Sequence, residues 1–117
     1  MKQKIYLFIL FFALCLVSCK DKEAVIEVKN SVDNVLLENI SINGYGISSR
    51  LLPGETGKRV FYEESDDISF PINGHIEFYM ISGDSRVYLK TKEVYTLDLE
   101  EKLFIDITNK TEVENPL

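Results

Sequence analysis

From Ala24 onward apolar residues alternate with polar ones at a period of two, and no stretch sustains the i, i+3, i+4, i+7 spacing of an amphipathic helix. A chain patterned this way can bury one face of each segment only as a strand, with the other face wet, which is the mark of antiparallel sheet. Over His75 to Ile81 the side chains of Ile76, Phe78 and Met80 share one face, while His75, Glu77 and Tyr79 share the other. The next segments repeat the logic. Val87 and Leu89 oppose Arg86, Tyr88 and Lys90; Tyr95, Leu97 and Leu99 oppose Thr96 and Asp98; Leu103, Ile105 and Ile107 oppose Phe104, Asp106 and Thr108.

Turn chemistry divides the chain between these runs. Breaks fall at Asp33-Asn34, Gly44-Tyr45-Gly46, Pro53-Gly54-Glu55, Ser82-Gly83-Asp84 and Glu100-Glu101. Asn73-Gly74 can hold both central residues of a hairpin at positive φ, so Ile68 to Ile72 is expected to fold back onto His75 to Ile81, with Pro71 at an edge or a bulge. Strands are expected near 24–30, 35–43, 47–52, 58–63, 68–72, 75–81, 86–91, 94–99 and 102–108. Short strands at this spacing fit an all-β fold, a small antiparallel β-sandwich, with a small closed barrel as the alternative.

The first residues follow other rules. Lys2 and Lys4 precede the apolar run Ile5 to Val17, which ends at Ser18, Cys19 and the charged Lys20-Asp21-Lys22-Glu23. This is the layout of an export signal, and the run is shorter than the roughly 20 apolar residues of a membrane-spanning helix. Leu16-Val17-Ser18-Cys19 resembles the lipobox of bacterial lipoproteins. The resemblance implies cleavage before Cys19, a diacylglyceryl thioether on its sulfur, and acylation such as palmitate on the new amino group. Lys20 after the cysteine resembles signals that permit outer-membrane sorting, and 20–23 is similar to the charged tags of Bacteroidetes surface lipoproteins. Each buried methylene contributes about 0.8 kcal/mol, so two or three acyl chains hold a domain on a bilayer durably. The organisation expected is a signal peptide over 1–18, a lipidated cysteine and tether over 19–23, the sandwich over 24–111 and a flexible tail over 112–117.

Cleavage would leave 99 of the 117 residues, the size of one domain. Cys15 would leave with the signal and Cys19 would carry lipid, so no disulfide remains and the fold depends on core packing. Losing Lys2 and Lys4 takes the net charge from −6 to −8, which disfavours nucleic acid and anionic lipid as partners. The order of Val35 to Ile42, the turn at Leu51-Leu52-Pro53-Gly54-Glu55 and Arg59 to Tyr62 resembles the edge of an immunoglobulin-like sandwich. There a proline-glycine turn links two hairpin strands, although the cysteine pair and tryptophan of antibody domains are absent.

Candidate chemistry is sparse. His75 is the only histidine and is expected to be solvated beside its turn, which leaves no basis for a histidine-rich metal site or a catalytic triad. Glu63-Glu64-Ser65-Asp66-Asp67 gathers four carboxylates, but without the spacing or internal glycine of a calcium loop. No catalytic residue, metal or cofactor is expected. Tyr45, Tyr62, Tyr79, Tyr88 and Tyr95 could form a tyrosine-rich binding surface. Tyr45, between Gly44 and Gly46, is the candidate binding residue, as a ring on a flexible loop that no strand pattern requires. The expected function is a non-enzymatic interaction module of the cell envelope, anchored by lipid and binding an envelope or extracellular protein. The alternative is an inhibitor or immunity-type protein that neutralises a basic enzyme, and a hydrolase of wall or glycan is favoured least.

Overall fold

The computed structural model describes residues 22–116, so Cys15, Cys19 and the signal-like segment lie outside the described residues. The chain is all-β. The described residues form ten strands, β1 (Glu23–Ser31), β2 (Leu36–Ile42), β3 (Tyr45–Leu51), β4 (Val60–Glu63), β5 (Ile72–Gly74), β6 (Ile76–Ser82), β7 (Ser85–Thr91), β8 (Tyr95–Leu97), β9 (Lys102–Thr108) and β10 (Val113–Glu114). A three-stranded sheet of order β4-β1-β9 faces a five-stranded sheet of order β10-β7-β6-β2-β3, and β5 pairs with β8 in a small third sheet. The result is a small β-sandwich, not a closed barrel.

Alternation sets the faces. Ala24, Ile26, Val28 and Asn30 of β1 are buried, as are Ile76 and Phe78 of β6 and Ile105 and Ile107 of β9, and they join Leu37, Ile40, Ile42, Leu51, Ile72 and Leu97 in one core. The described residues contain no cysteine, so this packing carries the stability. All strand pairs are antiparallel except β1 with β9, which run parallel in an unbroken register from Val25 opposite Lys102 to Ser31 opposite Thr108.

Three expectations are corrected. Asn73-Gly74 is not a turn: both residues lie in β5 opposite Thr96 and Tyr95, and the 68–71 stretch before it is not a strand. Gly74 serves close approach instead, because a Cβ there would sit 3.0 Å from Cβ and N of Asn43. The hairpin with this chemistry is Asn43-Gly44, between β2 and β3. Its φ values of 46° and 83° are the pair of positive angles that a two-residue type I′ turn requires.

The turn at Pro53-Gly54 has the expected geometry, with Gly54 at φ 83° and the Glu55 N–H donating to the Leu52 carbonyl at 2.9 Å. It does not close a hairpin, however. It carries the chain from β3 in one sheet to β4 in the other, because β4 finds its partner in β1. At the far end, the expected flexible tail begins with a short strand, since Val113 and Glu114 pair with Thr91 and Lys90 of β7.

Two buried polar side chains hold main-chain groups, Asn30 across the two layers and Thr91 within the five-stranded sheet and the turn that follows it. Asn30 Nδ2 donates to the carbonyls of Val35 (2.9 Å) and Leu51 (3.1 Å), and its Oδ1 accepts from Val32 N–H (3.0 Å). Thr91 Oγ1 accepts from Ile76 N–H and donates to the Glu93 carbonyl, each at 2.9 Å.

Candidate functional site

The tyrosines are not gathered into one platform. Tyr62 is buried, donates its hydroxyl to the Gly46 carbonyl, and has its pKa raised by burial. Tyr45 opens β3 rather than riding a free loop. Its ring lies 6.0 Å from that of Tyr62 at 56°, half-buried against the core, and its hydroxyl donates to the Asp67 carbonyl at 3.1 Å. The alternation of β3 begins at Tyr45 because the turn residues are Asn43 and Gly44, one position earlier than the glycine-flanked reading supposes.

Tyr79 and Tyr88 oppose each other on the solvent face of the five-stranded sheet, 5.2 Å apart and edge to face. Arg86 stacks over Tyr79 at 4.1 Å and reaches Glu38 at 4.0 Å. Tyr88 donates to Glu77, and this hydrogen bond, with burial and the negative charge beside it, pushes its pKa up to about 12. Those groups are therefore engaged with one another. Tyr95, on β8, is half-buried, and burial followed by Glu93 raises its pKa.

His75 is not solvated at a turn. Half-buried between β5 and β6, its Nδ1 contacts the Thr91 carbonyl at 2.6 Å, and because a carbonyl only accepts, that nitrogen carries the proton. The acidic loop folds on its own main chain: Ser65 and Ile68 exchange N–H to carbonyl bonds at 3.0 and 3.3 Å, and the carboxylates of 63–67 stay exposed. Among the described residues no three His, Cys, Asp or Glu side chains converge as a metal site would need.

The solvent face of the three-stranded sheet is different in kind. Phe61 on β4 is 56% exposed and Phe104 on β9 is 52% exposed. Phe61 stands opposite Val25 of β1, and Phe104 stands opposite Glu27, two residues further along the same strand. All of these side chains point outward, because Ala24, Ile26 and Val28 take the inward phase. Arg59 donates to Glu27 at 3.1 Å across the same face, and Lys102 stands beside Val25. Two exposed phenylalanines joined through a valine and rimmed by an ion pair make a surface on which a protein partner gains apolar burial.

The side of the sandwich between β3 and β4 holds an open groove of about 670 Å³, bounded by Ser48 and Arg50 on one sheet and by Lys58, Arg59 and Phe61 on the other. It adjoins the phenylalanine face through Phe61. Sequence reasoning assigned Phe104 to the wet phase of its strand without giving it a role, and it passed over Phe61. The available signal was a phenylalanine in a polar phase, which strand propensity alone does not ask for. Comparison with protein families, with curated proteins and with solved structures finds no match.

Proposed function

We propose that this chain is a lipid-anchored, non-enzymatic interaction module of the bacterial envelope, tethered through Cys19 and binding a protein partner with the outer face of its three-stranded sheet. The observation that carries the binding reading is the pair of exposed phenylalanines, Phe61 and Phe104, held at fixed spacing on a strand scaffold. Aromatic side chains fixed on a rigid sheet lose little entropy on docking, which is why they dominate interface energetics.

The anchor reading rests on the lipobox-like 16–19 segment and carries a geometric consequence. β1 begins at Glu23, four residues after Cys19, and four extended residues span at most about 14 Å. The end of the sandwich at Glu23 also bears Glu63, paired with it, and Glu100, whose N–H donates to the Glu23 carbonyl at 2.8 Å. Under this reading that acidic end lies next to the bilayer, held off its anionic lipids by like charge. Tyr45 sits at the same end, bonded to the acidic loop through Asp67.

The test uses cells that produce the full chain. Cys19→Ala should abolish labelling by a palmitate analogue; equal labelling of the variant would overturn the anchor. A photo-crosslinking amino acid at Phe61 should give one discrete adduct with another protein, and the same group at Val87, exposed on the other sheet, should not. Absence of a discrete adduct at Phe61 would refute the binding face.

A further inference from the structure

A sheet edge with free N–H and C=O groups is a template for pairing, and folded proteins blunt such edges with short strands, bulges, proline or charge. Three of the four edges of the two main sheets are blunted here. β4 has four residues, β10 has two with Pro116 close behind, and β3 faces a register irregularity between Ile40 and Ser41. β9 is the exception. It is seven residues long with no break in register, and among the described residues no strand pairs with its outer edge.

The hydrogen bonding to β1 fixes which β9 groups are free. Val25 N–H donates to the Glu101 carbonyl at 3.0 Å, so the odd-numbered residues of this parallel strand turn their main-chain groups toward β1. Residues 102, 104, 106 and 108 then turn theirs outward. Thr108 N–H is already donated to Thr111 Oγ1 at 2.9 Å, which leaves Lys102, Phe104 and Asp106 with free groups.

We propose that two copies of this chain pair antiparallel through β9, on a two-fold axis at Phe104. In that register every free group meets a free group. Phe104 opposes the partner's Phe104, and Lys102 opposes the partner's Asp106 in both halves of the contact. The side chains of 102, 104 and 106 share the solvent face of the sheet, so the charges and rings meet directly across the strands. Asp106 Oδ1 accepts from Ser31 Oγ at 2.5 Å, which leaves Oδ2 for the lysine. An axis at Ile105 would instead set Phe104 against Asp106 and Lys102 against Thr108, whose N–H is spent. Charge, ring and main-chain complementarity therefore select one register, and the self-complementary patch is what a two-fold interface requires. The pairing joins two three-stranded sheets into one of six, β4-β1-β9-β9-β1-β4, through about six main-chain hydrogen bonds. It requires neither the lipid nor the phenylalanine-face partner; because the pairing sets the two Glu23 ends at opposite ends of the joined sheet, two tethers of at most about 14 Å reach one bilayer together when the strands lie along it.

The test is disulfide trapping of the full chain in the producing cells, under a mild oxidant. Phe104→Cys places two thiols on residues whose Cα atoms stand about 5.5 Å apart, inside the range a disulfide spans. Phe61→Cys is the control, being equally exposed on the same face, with the same native cysteines but on the other edge. Phe104→Cys should give a dimer and Phe61→Cys should not. Adding Lys102→Asp to Phe104→Cys puts like charges opposite each other twice and should cut the dimer yield roughly tenfold. Adding Asp106→Lys as well restores opposite charges and should recover the yield. Equal dimer from Phe104→Cys and Phe61→Cys would overturn the proposal, and so would failure of the charge swap to recover what Lys102→Asp loses.

Discussion

Asn30 offers the sharpest test of how this disulfide-free sandwich is held, because a single buried amide serves three main-chain groups, two in the β1–β2 connection and one on β3. Asn30→Ala removes the bonds to the Val35 and Leu51 carbonyls and from Val32 N–H. The Leu51 carbonyl is buried and loses its donor with no access to water, a penalty of about 1 to 3 kcal/mol. The other two groups are partly buried and can be rehydrated, so each costs about 1 kcal/mol. The total is about 3 to 5 kcal/mol, against the 5 to 15 kcal/mol by which domains are typically stable. Urea unfolding at pH 7 should show the midpoint falling by more than about 1 M at unchanged slope. Asn30→Asp should be worse at neutral pH, because it sets carboxylate oxygens against two carbonyls in a buried site. Burial and those carbonyls favour the protonated acid, so its folded pKa lies above its unfolded value and its deficit shrinks as pH falls. A loss below about 1 kcal/mol for Asn30→Ala, or an Asn30→Asp protein as stable as the parent at pH 7, would show that the amide is not the tie described.

Tyr45→Ala should destabilise the domain by about 1.5 to 3 kcal/mol through lost packing on Tyr62, whereas Tyr45→Phe, losing one exposed hydrogen bond, should cost about 1 kcal/mol or less; unchanged melting of Tyr45→Ala would return the ring to a binding role. Tyr88 is neutral in the fold to higher pH than in the unfolded chain, so its contribution is intact below its ordinary pKa of 10.0 and is lost as pH rises through about 12. Ultraviolet titration should show, besides the raised Tyr62 and Tyr95, a late step that Tyr88→Phe removes and Glu77→Gln shifts back toward the ordinary value; a titration curve that neither substitution changes would contradict the Glu77 bond. Gly44 and Gly74 should separate on substitution: asparagine, which tolerates positive φ, should cost little at Gly44, where nothing lies within 4 Å of a Cβ. At Gly74 either alanine or asparagine should cost about 1 to 3 kcal/mol by overpacking on Asn43, and thermal melts ranking the two sites the other way would overturn the assignment of their roles.

What the sequence made legible was whatever depends on period two. The inward phases of β6, β8 and β9 follow from alternation alone, since Ile76, Phe78, Leu97, Ile105 and Ile107 are all buried as their strands require, whereas on β7 Leu89 packs on the core but Val87, expected on the same face, is 39% exposed. Position of a turn is less legible than its chemistry. Two Asn-Gly pairs occur, at 43–44 and 73–74, with identical local preference, and only tertiary contact decides between them. At 43–44 the flanking segments pair with each other. At 73–74 the chain is drawn extended alongside β8, and the glycine is needed because β5 crosses the first hairpin with no room for a Cβ. Asn30 escaped notice for a related reason: a polar residue in the apolar phase of a strand reads as a strand end until its partners, 5 and 21 residues away, are in place.

The candidate surface was hidden by the same arithmetic that revealed the core. Alternation says which side chains face water but not which sheet's water, so the outward tyrosines of β6 and β7 and the outward phenylalanines of β4 and β9 look alike in the sequence. Topology separates them. The five-stranded sheet gives Tyr79 and Tyr88 charged neighbours from three strands, and Glu38, Glu77 and Arg86 consume their polar and π capacity. The three-stranded sheet has only β1 between its edges, so Phe61 and Phe104 flank one strand whose neighbouring outward residues are Val25 and Glu27, and among the described residues nothing covers them. The parallel pairing of β9 with β1 sharpens the contrast. It brings β9 to the edge of the sheet whose central strand begins at Glu23, with its free groups in register for a second copy, and pairing there would set two phenylalanine faces side by side on one continuous sheet.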